Sequence, residues 1–228
     1  MPTLSRDGDV FVLHLGDDEN RFNPDWVGGV SALLDEAAAA EGPRAVVLTA
    51  SGKVFSNGLD LEWIMGNADQ LGDFLVDVHE LFAKTLVFPG TVVAAIQGHC
   101  FAAGAMLALA CDQRVMRADR GFFCMPEADI NIPFTPGMSA LIQCKLTPKV
   151  AHEVMTTAQR YGGADAAAAD IVDAAVAEDE VLPVAIERAA ALAGKDANTV
   201  RIIKERMYAG PAGLLRDVSA NAFAVPGA

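Results

Sequence analysis

The chain has 228 residues, enough for one large domain or two small ones, and its 52% hydrophobic and 21% charged residues are an ordinary globular balance. Thirty acidic against 17 basic residues give a net charge of -13. That excludes a non-specific nucleic-acid or anionic-membrane surface, which needs clustered Lys and Arg, but leaves room for a small anionic ligand held by backbone dipoles.

Residues 1–10 carry Arg6, Asp7 and Asp9 and do not read as a signal peptide. Residues 9–15 are rich in Val and Phe and read as a strand, hairpin-paired with residues 3–6 across Asp7-Gly8. Asn23-Pro24-Asp25 signals a helix start, and Trp26, Val27, Val30, Leu33, Leu34 and Ala37 follow at helical spacing. Glu41-Gly42-Pro43 ends that helix, and residues 45–50 form a short, fully apolar strand. A Ser51-Gly52-Lys53 turn leads to "FSNGLDLEWIM", a permissive backbone followed by an amphipathic stretch.

The same order recurs. A helix over residues 69–88 is followed by Pro89-Gly90, a strand at Thr91–Ile96, a second Gly-rich junction and the helix "GAMLALACD". "QRVMRA" and "GFFCM" read as two further strands. From Pro136 the chain is mostly helical, with breaks expected at Pro148, Gly162-Gly163 and Pro183, and a last strand within residues 170–176. The expectation is an α/β core with a helical carboxyl-terminal part. Adjacent strand pairs favour repeating β-β-α units over a doubly wound sheet.

Residues 85–111 contain no Asp, Glu, Lys or Arg, and 27 residues are enough to span a bilayer. Pro89, Gly90, Gln97, Gly98, His99 and Gly104 interrupt them, so they read as helix end, strand, loop and buried helix. The chain ends without a peroxisomal tripeptide, and the expected location is the cytoplasm. Cys100, Cys111, Cys124 and Cys144 show no CxxC spacing and read as reduced, buried thiols. His14, His79, His99 and His152 have no paired metal-ligand spacing, so no metal is expected.

The junctions at residues 55–65 and 96–112 share one logic: apolar strand, small residues, helix. Gly58, Gly98 and Gly104 permit tight turns, and Ala102 and Ala103 allow a ligand to approach the backbone. Each junction can aim one N–H at a common point, and two such groups form an oxyanion hole; each can also be only a turn. There is no GxGxxG, GxxxxGK[ST] or GxSxG, so dinucleotide, P-loop and nucleophile-elbow readings fail.

"FSNGLDL", "IQGHCFAAGAMLALACD" and "FFCMPEADI", in this order and at these distances, resemble the crotonase, or enoyl-CoA hydratase/isomerase, superfamily, and most closely its compact Δ3,Δ2-enoyl-CoA isomerases. The resemblance implies a crotonase-like spiral of β-β-α units over residues 1–190. Residues 191–228 would be a helical segment packing in a homotrimer or a dimer of trimers. It implies an acyl-CoA thioester as ligand, with coenzyme A entering as part of the substrate and no separate cofactor. The Leu59 N–H is the implied first oxyanion donor. The Ala103 N–H is the second, where the family usually has glycine. Coenzyme A would run along the backbone of Val54, Phe55, Ser56, Asn57 and Gly58, with Lys53 as a phosphate partner and residues 134–146 as an acyl-pocket wall.

The resemblance also bears on the reaction. Hydratases of the family use two glutamates to handle water. Met106 stands at the first position and Glu127 at the second. One carboxyl beside an oxyanion hole suits moving a double bond from C3 to C2, with Phe122, Phe123, Met125 and Met106 raising its pKa. Two alternatives stay open: a hydratase in which Glu62 or Asp129 replaces the missing acid, and a non-catalytic acyl-CoA-binding protein. Asp60 reads as a helix cap and His99 as satisfying a loop carbonyl.

Overall fold

The computed structural model describes residues 1–222. The expected hairpin is present: β1 (Thr3–Asp7) pairs antiparallel with β2 (Val10–His14). The helix α1 (Pro24–Ala39) starts where its signal lies, with the Asn23 side chain accepting the Trp26 N–H at 3.0 Å and Pro24 in the first turn, where no N–H is missed.

Three turns of one unit follow. The strands β3 (Ala45–Thr49) and β4 (Val54–Ser56) lead into α2 (Leu61–Gly66) and α3 (Leu71–Leu86). The pair β5 (Thr91–Ile96) and β6 (His99–Phe101) leads into α4 (Ala103–Ala110). The pair β7 (Gln113–Arg117) and β8 (Phe123–Cys124) leads through a 3-10 turn at Pro126–Ala128 into α5 (Pro136–Lys145), α6 (Pro148–Thr157) and α7 (Gly163–Ala168). The strand β9 (Ala174–Val176) and the helices α8 (Val181–Ala193), α9 (Ala197–Met207) and α10 (Ala209–Arg216) complete the described chain.

The first strand of each pair joins a six-stranded sheet in the order β1-β2-β3-β5-β7-β9, parallel beyond the hairpin. The second joins a parallel three-stranded sheet, β4-β6-β8. Each unit therefore advances both sheets by one strand. This is the β-β-α spiral the sequence suggested, and it stacks the loops that follow β4, β6 and β8 on one another.

The central strands β3 and β5 of the large sheet are buried on both faces, which is why they are apolar without alternation, while the edge strand β1 is exposed and polar. Val46, Leu48, Val92 and Ala94 join the main core with α1, α3 and α4. Ala45, Val47, Val93 and Ala95 face the other way, against Val181, Ala185, Ala189 and Ala193 of α8. That spacing of four puts one stripe of α8 on the sheet, and its alanines let the backbones approach closely. At the carboxyl end, α10 packs against α3 and α5 of the same chain. Residue 190 lies inside α8, and residues 223–228 of the proposed oligomer segment lie outside the described residues.

Several expectations need correction. Pro183 does not break a helix: it is the third residue of α8, where a missing N–H removes no helical bond. The breaks expected at Pro148 and Gly162-Gly163 are present: α6 begins at the first and α7 at Gly163. Cys144 is exposed on α5, while Cys100, Cys111 and Cys124 are buried. Among the described residues no helix is long and apolar enough to cross a membrane; residues 85–111 divide into the end of α3, β5, β6 and α4.

Candidate active site

The first junction leaves β4 and enters α2. Gly58 has φ 79°, a conformation glycine reaches without penalty. Asp60 caps α2 as expected, accepting the Trp63 N–H at 3.1 Å. Phe22 donates its N–H to the Gly58 carbonyl at 2.8 Å and accepts the Asp60 N–H at 2.9 Å. In this parallel bridge Leu59 sits between the two bonds and turns its own N–H away from Phe22.

The second junction leaves β6 and enters α4. Ala103 is the first residue of the helix, so its N–H is one of the donors without an intrahelical acceptor. The unusual backbone sits one residue earlier than expected. Ala102 has φ 50° and ψ -125°, a region non-glycine residues avoid at a cost of roughly 1–3 kcal/mol. Both its peptide groups are fixed: its N–H donates to the Cys124 carbonyl and its carbonyl accepts the Met106 N–H, each at 3.0 Å.

The two junctions touch. A Cβ on Gly58 would lie 2.8 Å from Ala102 Cβ and 2.9 Å from Ala103 N. A Cβ on Gly104 would lie 2.6 Å from Ser56 Cβ. Neither the Leu59 nor the Ala103 N–H donates to a protein acceptor among the described residues. Two free donors on abutting backbone segments are the requirement for holding one oxyanion.

The acid comes from the third unit. Pairing of β6 with β8 brings the Pro126–Ala128 turn out beside the start of α4. Glu127 on that turn is only 7% exposed, and its Oε2 is buried without a hydrogen-bond partner. Burial pushes its pKa up to about 7. Phe123, Met125 and Met106 are buried, as that shift requires, but Phe122 is 39% exposed. Met106 lies on the first turn of α4 and brings no proton-transfer group.

The rival acids stand elsewhere. Asp129 is exposed, so it does not share the buried site of Glu127; the 3-10 turn rotates it out. Glu62 is exposed and lines a cleft of about 520 Å³ together with Asp18, Glu19, Asn20, Arg21 and Asp60. Glu127 is not in that cleft's lining. Lys53 is exposed, Val54 and Asn57 are half-buried, and Phe55 and Ser56 are fully buried, backbone included, so the structure does not open those last two to a ligand as the sequence suggested. His99 does not bond a loop carbonyl: its Nδ1 has no partner and its ring lies 5.1 Å from Phe101 and 5.8 Å from Phe122. Met138, Leu141 and Ile142 of α5 are buried in the core. Among the described residues no His, Cys, Asp and Glu groups gather in a metal-binding cluster.

The family model for enoyl-CoA hydratase/isomerase matches residues 8–219. The chain belongs to that family. It is 33% identical to enoyl-CoA delta isomerase 2, peroxisomal, of Arabidopsis thaliana over 239 aligned positions, covering 99% of both chains. It is 37% identical to enoyl-CoA delta isomerase 3 of the same plant over 182 positions, covering 77% of this chain and 76% of that one. Among solved structures, an enoyl-CoA isomerase from Mycobacterium tuberculosis in its apo form superimposes with a TM-score of 0.86 at 25% identity, covering 95% of each chain. The fold and the reaction class of an enoyl-CoA hydratase/isomerase member therefore stand on sequence and shape together.

Proposed function

We propose that this family member is a Δ3,Δ2-enoyl-CoA isomerase that uses Glu127 as its single acid–base. The observation that carries the reading is a lone buried carboxyl with its pKa near 7, on the turn after the strand that pairs with β6, together with two free N–H donors on abutting junctions and Met106 where a second acid would stand. In a 3-enoyl thioester the C2 protons are acidified, because the carbanion delocalises onto the thioester oxygen. Glu127 takes a C2 proton, the Leu59 and Ala103 N–H groups hold the dienolate oxygen, and the same carboxyl returns the proton at C4. A pKa near the working pH makes one group competent in both directions, and such catalysis is worth roughly 10²–10⁴-fold. The apolar surroundings of Glu127 also leave no second carboxylate to hold a water, which disfavours hydration. The delta-isomerase names of the two Arabidopsis relatives favour the same reading.

The substrate would be an acyl-CoA, seated along the half-buried Val54, Asn57 and Leu59 with Lys53 near its phosphates and α5 walling the acyl chain. A homotrimer, or a dimer of trimers, is supported by apolar side chains left in water near the carboxyl end: Ile203 is 54% exposed, Met207 61% and Leu214 40%. Light scattering on a sizing column tests it. We place the chain in the cytoplasm; the location in the name of one Arabidopsis relative is the alternative, and cell fractionation decides.

The test of the reaction is ultraviolet absorbance at the conjugated enoyl-thioester band, with trans-3-hexenoyl-CoA and crotonyl-CoA compared for wild type and Glu127→Gln. The expected result is a rise on the first substrate that the variant loses. A fall on crotonyl-CoA would mean hydration and overturn the reading. No change on either, with coenzyme A still bound, would favour a non-catalytic binder.

A further inference from the structure

Ser56 and Asn20 have polar groups that the mechanism does not use, and both are buried in full or nearly so, at 0% and 1% exposure. Their hydrogen bonds form one connected set. The Ser56 hydroxyl donates to the Asn20 carbonyl at 2.8 Å and accepts the Gly58 N–H at 3.1 Å. The Asn20 side-chain amide donates to the Phe55 carbonyl at 3.0 Å and to the Val54 carbonyl at 3.3 Å. Asn20 itself has φ 48°, a left-handed conformation that Asn tolerates better than most residues. It is held there by its own N–H, which bonds the Asp18 carboxylate at 2.8 Å.

This set touches both junctions. On one side it fixes the Gly58 N–H, one peptide before Leu59. On the other side Ser56 lies directly against Gly104, one residue after Ala103, so closely that no Cβ fits there. A single buried side chain thus ties down the start of one junction and sets its closest approach to the other. Nothing about burial demands a serine here. An alanine would fill nearly the same space and leave the Gly58 N–H without its acceptor.

We propose that Ser56 is a positioning residue for the oxyanion hole, with Asn20 as its anchor: the Ser56 hydroxyl holds the Asn57–Gly58 peptide, and with Phe22 bonded to the next peptide at the Gly58 carbonyl this sets the Leu59 N–H to converge with that of Ala103. The inference rests on the isomerase reading for its chemistry, but it concerns only the hole, and can be read without turnover. A β-ketoacyl thioester bound in an oxyanion hole is drawn toward its enolate, which absorbs where the ketone does not. An S-alkyl thioether of coenzyme A has no carbonyl oxygen and reports binding alone.

The experiment measures the enolate band of bound acetoacetyl-CoA, the affinity for S-butyl-CoA, kcat and KM on 3-hexenoyl-CoA, and the melting temperature, for wild type, Ser56→Ala and Asn20→Gly. Glycine at residue 20 keeps the positive φ and the backbone carbonyl, so only the amide anchor is lost. For Ser56→Ala the expected result is a loss of about 10²-fold in kcat, the penalty of a displaced catalytic donor, with a weakened enolate band. Thioether affinity and KM should stay within about twofold, since binding without a developing oxyanion does not use the hole. Asn20→Gly should follow in the same direction, more weakly. A Ser56→Ala protein with the wild-type enolate band and kcat overturns the proposal. So does one whose thioether affinity falls as far as its kcat, which marks a merely structural role. If Ser56→Ala does not fold, Asn20→Gly carries the same test, and an unchanged enolate band in it overturns the anchor. A wild type that binds acetoacetyl-CoA with no enolate band overturns the oxyanion hole itself, and with it both the proposed function and this inference.

Discussion

Among the described residues the two strand-to-helix junctions leave the Leu59 and Ala103 N–H groups unpaired, but they hold their backbones by opposite means. At the first, the left-handed residue is Gly58, which needs no holding, and its flanking peptides are aimed by the Phe22 N–H, which donates to the Gly58 carbonyl, and the Ser56 hydroxyl, which accepts the Gly58 N–H. At the second, the positive-φ residue is Ala102, which resists the conformation and is kept in it by β8 on one side and the first turn of α4 on the other. Glycine gives the geometry freely but leaves a gap in the packing. Here the gap is used, since Ala102 and Ala103 fill it. The permissive junction and the strained one are therefore two halves of one fit.

Gly58→Ala should break that fit most severely. The new Cβ meets Ala102 and Ala103 at once and is strained by φ as well, so the donors must part; turnover should fall on the order of 10²–10³-fold, as for loss of one oxyanion donor. Retained turnover would mean the junctions do not act as a pair. Next in size is the acid they serve. The folded-state pKa of Glu127 is raised to about 7 from 4.5, so its contribution is fully present below pH 4.5 and is lost as pH rises through 7. The loss amounts to about 3 kcal/mol. Glu127→Gln should match the wild-type melting temperature near pH 4 and exceed it at pH 8. Equal melting at both would place the carboxyl in water.

Gly104→Ala tests the contact from the other side. Its Cβ meets the Ser56 side chain, and overpacking of this kind costs about 1–3 kcal/mol in denaturant unfolding. An unchanged midpoint would show slack between the junctions. The smallest effect, with the opposite sign, is expected for Ala102→Gly. Relief of the positive φ outweighs the added freedom of the unfolded chain, for a gain of about 1 kcal/mol. A variant that melts lower than wild type would show that Ala102 is not strained, and the contrast between the two junctions would dissolve.

The course of the chain could be read from its residues because strand, small-residue turn and helix repeat with clear punctuation. The paired strands pointed to the β-β-α spiral, and Asn23 and Asp60 announced their caps. Positions whose meaning depends on neighbours far along the chain could not be read. Asp129 follows Glu127 by two residues, and only the 3-10 turn sends one inward and the other to water. Cys144 follows the buried Leu141-Ile142 pair by two residues but lies on the outer face of α5. Pro183 resembles a breaker until α8 is seen to begin two residues before it. The bond from Ser56 to Asn20 spans 36 residues and leaves no local pattern. Asn20 carries the one clue, an Asn in a polar loop, the residue type besides glycine that most readily turns left-handed.

The alanine stripe of α8 has a consequence for how the protein comes off the ribosome. Val10, Ala45, Val47, Val93 and Val115, on strands made early, wait for a cover encoded at residues 181–193. Until that stretch has left the exit tunnel, the growing chain carries a bare aliphatic sheet face. Nascent chains stalled before residue 180 are therefore the forms most prone to aggregate or to recruit a chaperone, and those stalled well past α8 should be released from both.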